Sequence, residues 1–193
     1  MEPNELIAPP ETPSDPLNMR VAVMVAILST FMGICKVKDD NINQTMQQAQ
    51  ANKVDHWSFY QARNVREEVA KAAIVQLRAG ATGRAGAERA AYDAAIAQYQ
   101  LLVQEQTKKK EEVRGQAEQD QRDYDAANFR DDQFDLSDAF LAIAVALLAI
   151  TALTRQRWLF IGAMIPTAFG VLMGLCGLFG WPLHPSALVA LLS

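Results

Sequence analysis

The apolar residues of this chain gather in three runs, 21–35, 139–153 and 158–183, with a long polar stretch between the first and the second. A soluble domain spreads its apolar residues periodically along every element, whereas runs of this kind suit the hydrocarbon of a bilayer. The segmentation predicts an all-α membrane protein. Three transmembrane helices (19–36, 139–154 and 158–181) would anchor a long antiparallel coiled-coil helical hairpin that occupies 37–138 and reverses at a tip over 80–86. Residues 1–18, with five prolines and several acids, read as a disordered acidic tail, and 182–193 as a short C-terminal tail.

Composition excludes several functions. The formal charge is −4. Between Lys36 and Asp138, fifteen Lys and Arg interleave with eighteen Asp and Glu, so the sustained basic stripe that nucleic acid requires is missing. Cys35 and Cys176 both fall in apolar runs and read as inert buried thiols, and no Cys/His spacing suggests a metal. The expectation is therefore no metal, no cofactor, no nucleic acid and no small-molecule substrate. The lipid bilayer is one partner, with a second copy or another membrane protein as the other.

The first arm carries an imperfect apolar seam through Ile42, Met46, Ala49, Val54, Trp57, Val65, Val69, Ala72 and Leu77. Asp39, Asp40 or Asn41 can cap a helix here, or the first span continues through them. Gly80 ends the arm, and Gly83 and Gly86 offer the positive φ that a reversal needs. The second arm shows clearer heptad rows, Tyr92–Tyr99–Gln106–Val113–Asp120–Ala127–Phe134 beside Ile96–Val103–Lys110–Ala117–Tyr124–Asp131. A reversal centred on Gly83 sets Trp57 and Tyr60 level with Gln106, Lys109 and Lys110, a register inferred from the turn and open to a slip of one heptad. Lys36 and Lys38 would then meet Arg130, Asp131 and Asp132. Asp135–Asp138 can cap the second span, and Arg155–Arg157 makes a tight turn into the third. Pro182 and Pro185 end the third span, where Gly162, Pro166, Gly170 and Gly174 form a small-residue stripe suited to close helix packing.

The run KVKDDNINQTMQQAQANKVDHWSFYQARNVRE resembles a bacterial membrane family known as domain of unknown function 4337. The matching residues are Val37-Lys38-Asp39, Asn41, Gln48, Ala49, Ala51 and above all Trp57 with Tyr60-Gln61-Ala62, joined more weakly by Arg155-Gln156-Arg157-Trp158. The resemblance implies the architecture and a bacterial inner membrane, and carries no activity with it.

No catalytic constellation stands out. His56, a lone histidine on a helix flank, reads as solvated, His184 lies between two prolines near the C-terminus, and Glu67-Glu68, Glu111-Glu112 and Asp131-Asp132 read as solvated faces or base salt bridges. Trp57, Tyr60, Gln61, Lys109 and Lys110 form the candidate contact cluster, either filling the hairpin seam or docking a partner. The expected function is structural: a scaffold or docking protein that self-associates, and not an enzyme. The alternative is an oligomeric pore or transport accessory lined by Ser29, Thr30 or Thr167. Arg20, Arg155 and Arg157 favour a cytoplasmic side that puts the hairpin in the periplasm, while Lys36 and Lys38 argue the reverse.

Overall fold

A computed structural model describes residues 16–185 and 187–189. The tail expected over 1–18 lies outside the described residues up to position 15, as does most of the C-terminal tail beyond Val189. Among the described residues there are three long helices and no strand: α1 over Pro16–Gly80, α2 over Gly86–Thr154 and α3 over Arg157–Phe179. Each contains a stretch long and apolar enough to cross a membrane.

Neither acidic cluster interrupts a helix. The first span continues through Asp39–Asn41, and α2 runs through Asp135–Asp138, so those residues cap nothing. The reason is energetic: an Asp inside a helix costs about 0.7 kcal/mol at most, while a break orphans several backbone groups. Where glycine is present the helices do end. Gly83 and Gly86 take φ of 76° and 61° in the tip, and Gly180, at φ 69°, closes α3 ahead of Pro182 with the Trp181 N–H donating to the Cys176 carbonyl. Arg155 takes the left-handed conformation in the tight turn between α2 and α3.

The chain divides into two compact units. One comprises Ile42–Asn128, and the other the described residues up to Asn41 with those from Phe129 onward. In the latter, Leu28, Leu141, Ala144, Leu148 and Ala163 form one core cluster, and Leu136, Met173 and Cys176 form another. Close packing falls on the α3 row Ala163, Thr167, Gly170, Gly174 and Gly177, at alternating steps of four and three. A Cβ at Gly170 would lie 2.8 Å from Leu141, one at Gly174 2.7 Å from Phe31 and Ser137, and one at Gly177 2.8 Å from Phe134. Gly162 faces open space and Pro166 is half-buried. The stripe anticipated at steps of four thus lies on the packed face only at Gly170 and Gly174 and drifts off it toward Pro166 and Gly162, because 3.6 residues per turn cannot keep such a row on one side. Val23, Ile27, Ile143, Ile150, Ile161 and Ile165 stay exposed on the same unit.

Candidate functional site

In the Ile42–Asn128 unit, a row of less exposed positions on α1 alternates by four and three, 42, 46, 49, 53, 56, 60, 63, 67, 70, 74 and 77, and continues to Ala81 just beyond the helix. This is a heptad, but its middle is polar: Lys53, His56, Tyr60, Arg63 and Glu67. Sequence reading followed the apolar residues instead and left the row there. Val54, Val65 and Val69 prove exposed, and Trp57 is 36% exposed. In α2 the two heptad rows identified from sequence are the less exposed ones, Tyr99 apart.

The polar middle is held by matched pairs. His56 Nδ1 lies 2.6 Å from Asp120 Oδ2, and Arg63 Nη1 donates to Gln106 Oε1 at 3.1 Å. Lys53 Nζ donates to Gln121 Oε1. Lys110 Nζ sits 2.6 Å from Glu67 Oε2, donates to Asn64 at 3.3 Å and lies 5.9 Å from the Tyr60 ring centroid. Lys71 Nζ reaches the other Glu67 oxygen at 2.6 Å. Glu67 is only 4% exposed, and hydrogen bonds from Lys110 and then Lys71 hold its carboxyl down at about 2. Glu67 is therefore an interior group and His56 a half-buried, paired one, not the solvated groups their sequence context suggested.

The register corrects the expected one. Gly80 meets Tyr92, Glu67 meets Lys110 and His56 meets Asp120, about one heptad further along α2 than a reversal centred on Gly83 allows. Residues 82–91 are all exposed, so the first turn of α2 overshoots the end of α1; Arg89 reaches back to the Ala81 carbonyl at 3.2 Å, and side-chain packing on α1 begins at Tyr92. The Tyr92 ring lies 3.0 Å from where a Gly80 Cβ would stand, a contact a larger residue would crowd.

The anticipated cluster is only partly assembled. Tyr60 and Lys110 come together; Trp57 packs edge-on against Tyr60 of its own helix, at 5.4 Å, and not on 106–110. Lys109 pairs with Glu105 within α2, and Gln61 is exposed.

The other unit holds a second polar group. Asp39 is 4% exposed and takes Lys36 Nζ at 2.8 Å, with Asp40 3.5 Å from the same amine. Burial first, then a hydrogen bond with Asp39 and the charges of Asp135, Asp39 and Asp132, pushes Asp131 up to about 7. Asp135 is raised as well, by burial and then by the charges of Asp39 and Asp132. Lys36 thus pairs within its own helix and not across to Asp131 or Asp132.

Arg130, Asp132 and Gln133 serve the segment that follows α3. The Arg130 guanidinium donates to the Gly177 carbonyl at 2.9 and 3.3 Å, where a helix C-terminus presents unpaired carbonyls to a cation. Gln133 Nε2 donates to the carbonyls of Trp181 and Leu183 at 2.8 and 2.7 Å. His184 bonds Asp132 at 2.9 Å and stacks on Phe129 with centroids 4.7 Å apart. The sequence signal for this clasp was a basic-polar triplet one turn before an apolar run, which is too common to single out. The hydroxyls of Thr30 and Thr167 are turned back to the carbonyls of Ala26 and Ala163. Among the described residues no three metal-ligating side chains converge. These arrangements can pair charge and exchange protons, and neither brings a nucleophile to a base beside an open cavity.

A protein family described as domain of unknown function DUF4337 matches residues 17–180, most of the chain. No match was found among curated proteins or among solved structures.

Proposed function

We propose that this chain, which belongs to the DUF4337 family, is a membrane-anchored antiparallel coiled-coil hairpin with a structural role, a scaffold or docking protein that acts by self-association and performs no catalysis. The observation that carries the reading is the division of labour among exposed side chains. Around the Leu28–Leu141–Leu148 core, the outward residues of all three helices are large aliphatics, Val23, Ile27, Ile34, Ile143, Ile150, Ile161 and Ile165. Water would penalise such a belt, while acyl chains solvate it without cost. The Ile42–Asn128 unit is exposed and charged, with its interior specified by ion pairs. Polar pairs in a heptad seam fix register and partner more than they add stability, as suits a recognition rod.

The membrane is read as the bacterial inner membrane and the hairpin as periplasmic, supported by Arg20, Arg155 and Arg157 near one side. Native mass spectrometry of the full chain released from lipid nanodiscs tests the function. A dimer or higher oligomer, or a stoichiometric membrane partner, is the expected result. A monomer that retains no partner overturns it.

A further inference from the structure

One end of the unit that holds the three apolar stretches is basic and has no described acid to answer it. Arg20 stands near the start of α1, and Arg155 and Arg157 at the turn between α2 and α3. On α1 no carboxylate occurs between Pro16 and Asp39, α3 contains none, and α2 contains none after Asp138. Among the described residues neither the Arg20 nor the Arg157 guanidinium has a hydrogen-bond or ion-pair partner, and both side chains are exposed. Asp15, the acid nearest to Arg20 in sequence, lies outside the described residues.

Beside Arg20 a groove of about 310 Å³ opens between α1 and α3. Arg20 lines it together with Met19, Val23, Met24 and Ile27 of α1 and Phe160 of α3. Met24 and Phe160 pack on the Leu28–Leu141–Leu148 cluster and close its floor, while Met19, Val23 and Ile27 stand 58%, 54% and 58% exposed. At helical rise the lining positions of α1 extend about 12 Å, with the arginine at one end and apolar residues beyond it. Arg157 precedes Phe160 by three residues and so shares its side of α3.

We infer that this groove is a binding site for an anionic phospholipid, with one acyl chain against Met19, Val23, Ile27 and Phe160 and the headgroup phosphate between Arg20 and Arg157. Each half of the site selects its half of the ligand. Water would satisfy the arginines and penalise the apolar walls, whereas a hydrocarbon chain alone would fill the walls and leave the cations unanswered. A phospholipid carries both parts, and a guanidinium takes phosphate oxygens in bidentate pairs. The headgroup is anionic rather than zwitterionic because a choline or ethanolamine ammonium would cancel the phosphate charge and bring a further cation against the arginines. Trp158, next to Arg157 and 66% exposed, suits the headgroup level. The same arginines mark this side as cytoplasmic, where the leaflet carries anionic lipid. The inference rests on the reading of the chain as membrane-anchored and adds to it a lipid of defined charge.

The test uses the full chain purified in mild detergent and mixed with phosphatidylglycerol or phosphatidylcholine, with retained lipid counted by native mass spectrometry. The unaltered chain should retain phosphatidylglycerol several-fold more than phosphatidylcholine. Arg20→Gln and Arg157→Gln should each lower that retention several-fold. Lys38→Gln removes the same charge beyond the far end of the first span and should not. Val23→Trp fills the groove, leaves every charge in place and should lower it too. All four side chains are exposed, so far-UV dichroism should be unchanged. Equal retention of the two lipids, or retention that survives Arg20→Gln, Arg157→Gln or Val23→Trp, overturns the site. An equal loss in Lys38→Gln also overturns it, because net charge alone then attracts the lipid. Phosphatidylglycerol retained only after Asp15→Asn overturns it as well, since the chain's own acid then answers Arg20. A chain that self-associates but retains no phosphatidylglycerol overturns the site and leaves the scaffold reading standing. A chain released by alkaline carbonate overturns the membrane reading and the site together.

Discussion

At the scale of residues, the Ile42–Asn128 unit turns on Glu67 rather than on its aromatic landmark. Glu67 is buried between Lys110 and Lys71, so Glu67→Gln leaves Lys110 with a weaker partner and should destabilise the unit by about 1–3 kcal/mol. Trp57 is partly exposed and its ring partner is its own neighbour Tyr60, so Trp57→Ala should shift the same urea melt less than Glu67→Gln does. Circular dichroism of both variants in mild detergent ranks them. The pH dependence has opposite signs in the two units. Asp131 is raised from 3.8 to about 7, so the folded protein keeps a proton there that the unfolded chain has released, and stability falls as pH rises through that window. Glu67 is lowered from 4.5 to about 2, so its contribution is complete above 4.5 and lost as pH falls toward 2. Melts between pH 4.5 and 8 should therefore show decreasing stability that Asp131→Asn reduces, with Asp135 supplying a remainder of the same sign, and melts below pH 4.5 a loss that Glu67→Gln reduces.

At the scale of elements, the glycines of α3 separate by what lies opposite them. Gly174→Ala drives a methyl into Phe31 and Ser137 and should cost about 1–3 kcal/mol, while Gly162→Ala meets open space and should be neutral. Gly83, at φ 76°, makes the tip: Gly83→Ala should cost about 1–2 kcal/mol although no atom lies near the added methyl. Thermal melts of the three variants would order them. Helix identity, the glycine tip and the heptad rows of α2 were all legible in the sequence, because propensity, backbone freedom and spacing are local properties. The seam row of α1 was not, since the apolar residues that usually mark a seam lie on the other side of this helix. Lys53, His56, Arg63 and Glu67 can be recognised as interior only once Gln121, Asp120, Gln106 and Lys110 are known to stand opposite them.

At the scale of the whole molecule, the proposed function assigns the aliphatic belt to lipid and the charged Ile42–Asn128 unit to water. The chain should remain in the membrane pellet after alkaline carbonate extraction, and appearance in the supernatant would refute anchoring by three spans. With Cys35 and Cys176 replaced, cysteines introduced at Gly83 and at Gln156 should react with an impermeant maleimide from opposite sides of the membrane, position 83 from the periplasm. Labelling of position 156 alone from the periplasmic side would invert the orientation.

The sequence by itself determined where the helices form, where glycine lets the chain turn and which stretches are apolar enough for lipid. Those outcomes depend on composition and on contacts within a few residues. The tertiary structure alone decided which α2 residues meet α1, about one heptad beyond the symmetric pairing, because α2 overshoots α1 and Tyr92 comes to rest on Gly80. It also decided which side of α1 is interior. On a long helix two stripes can each keep a heptad, and only the opposing charges of α2 choose the polar one. The valines that first suggested a seam are left facing outward.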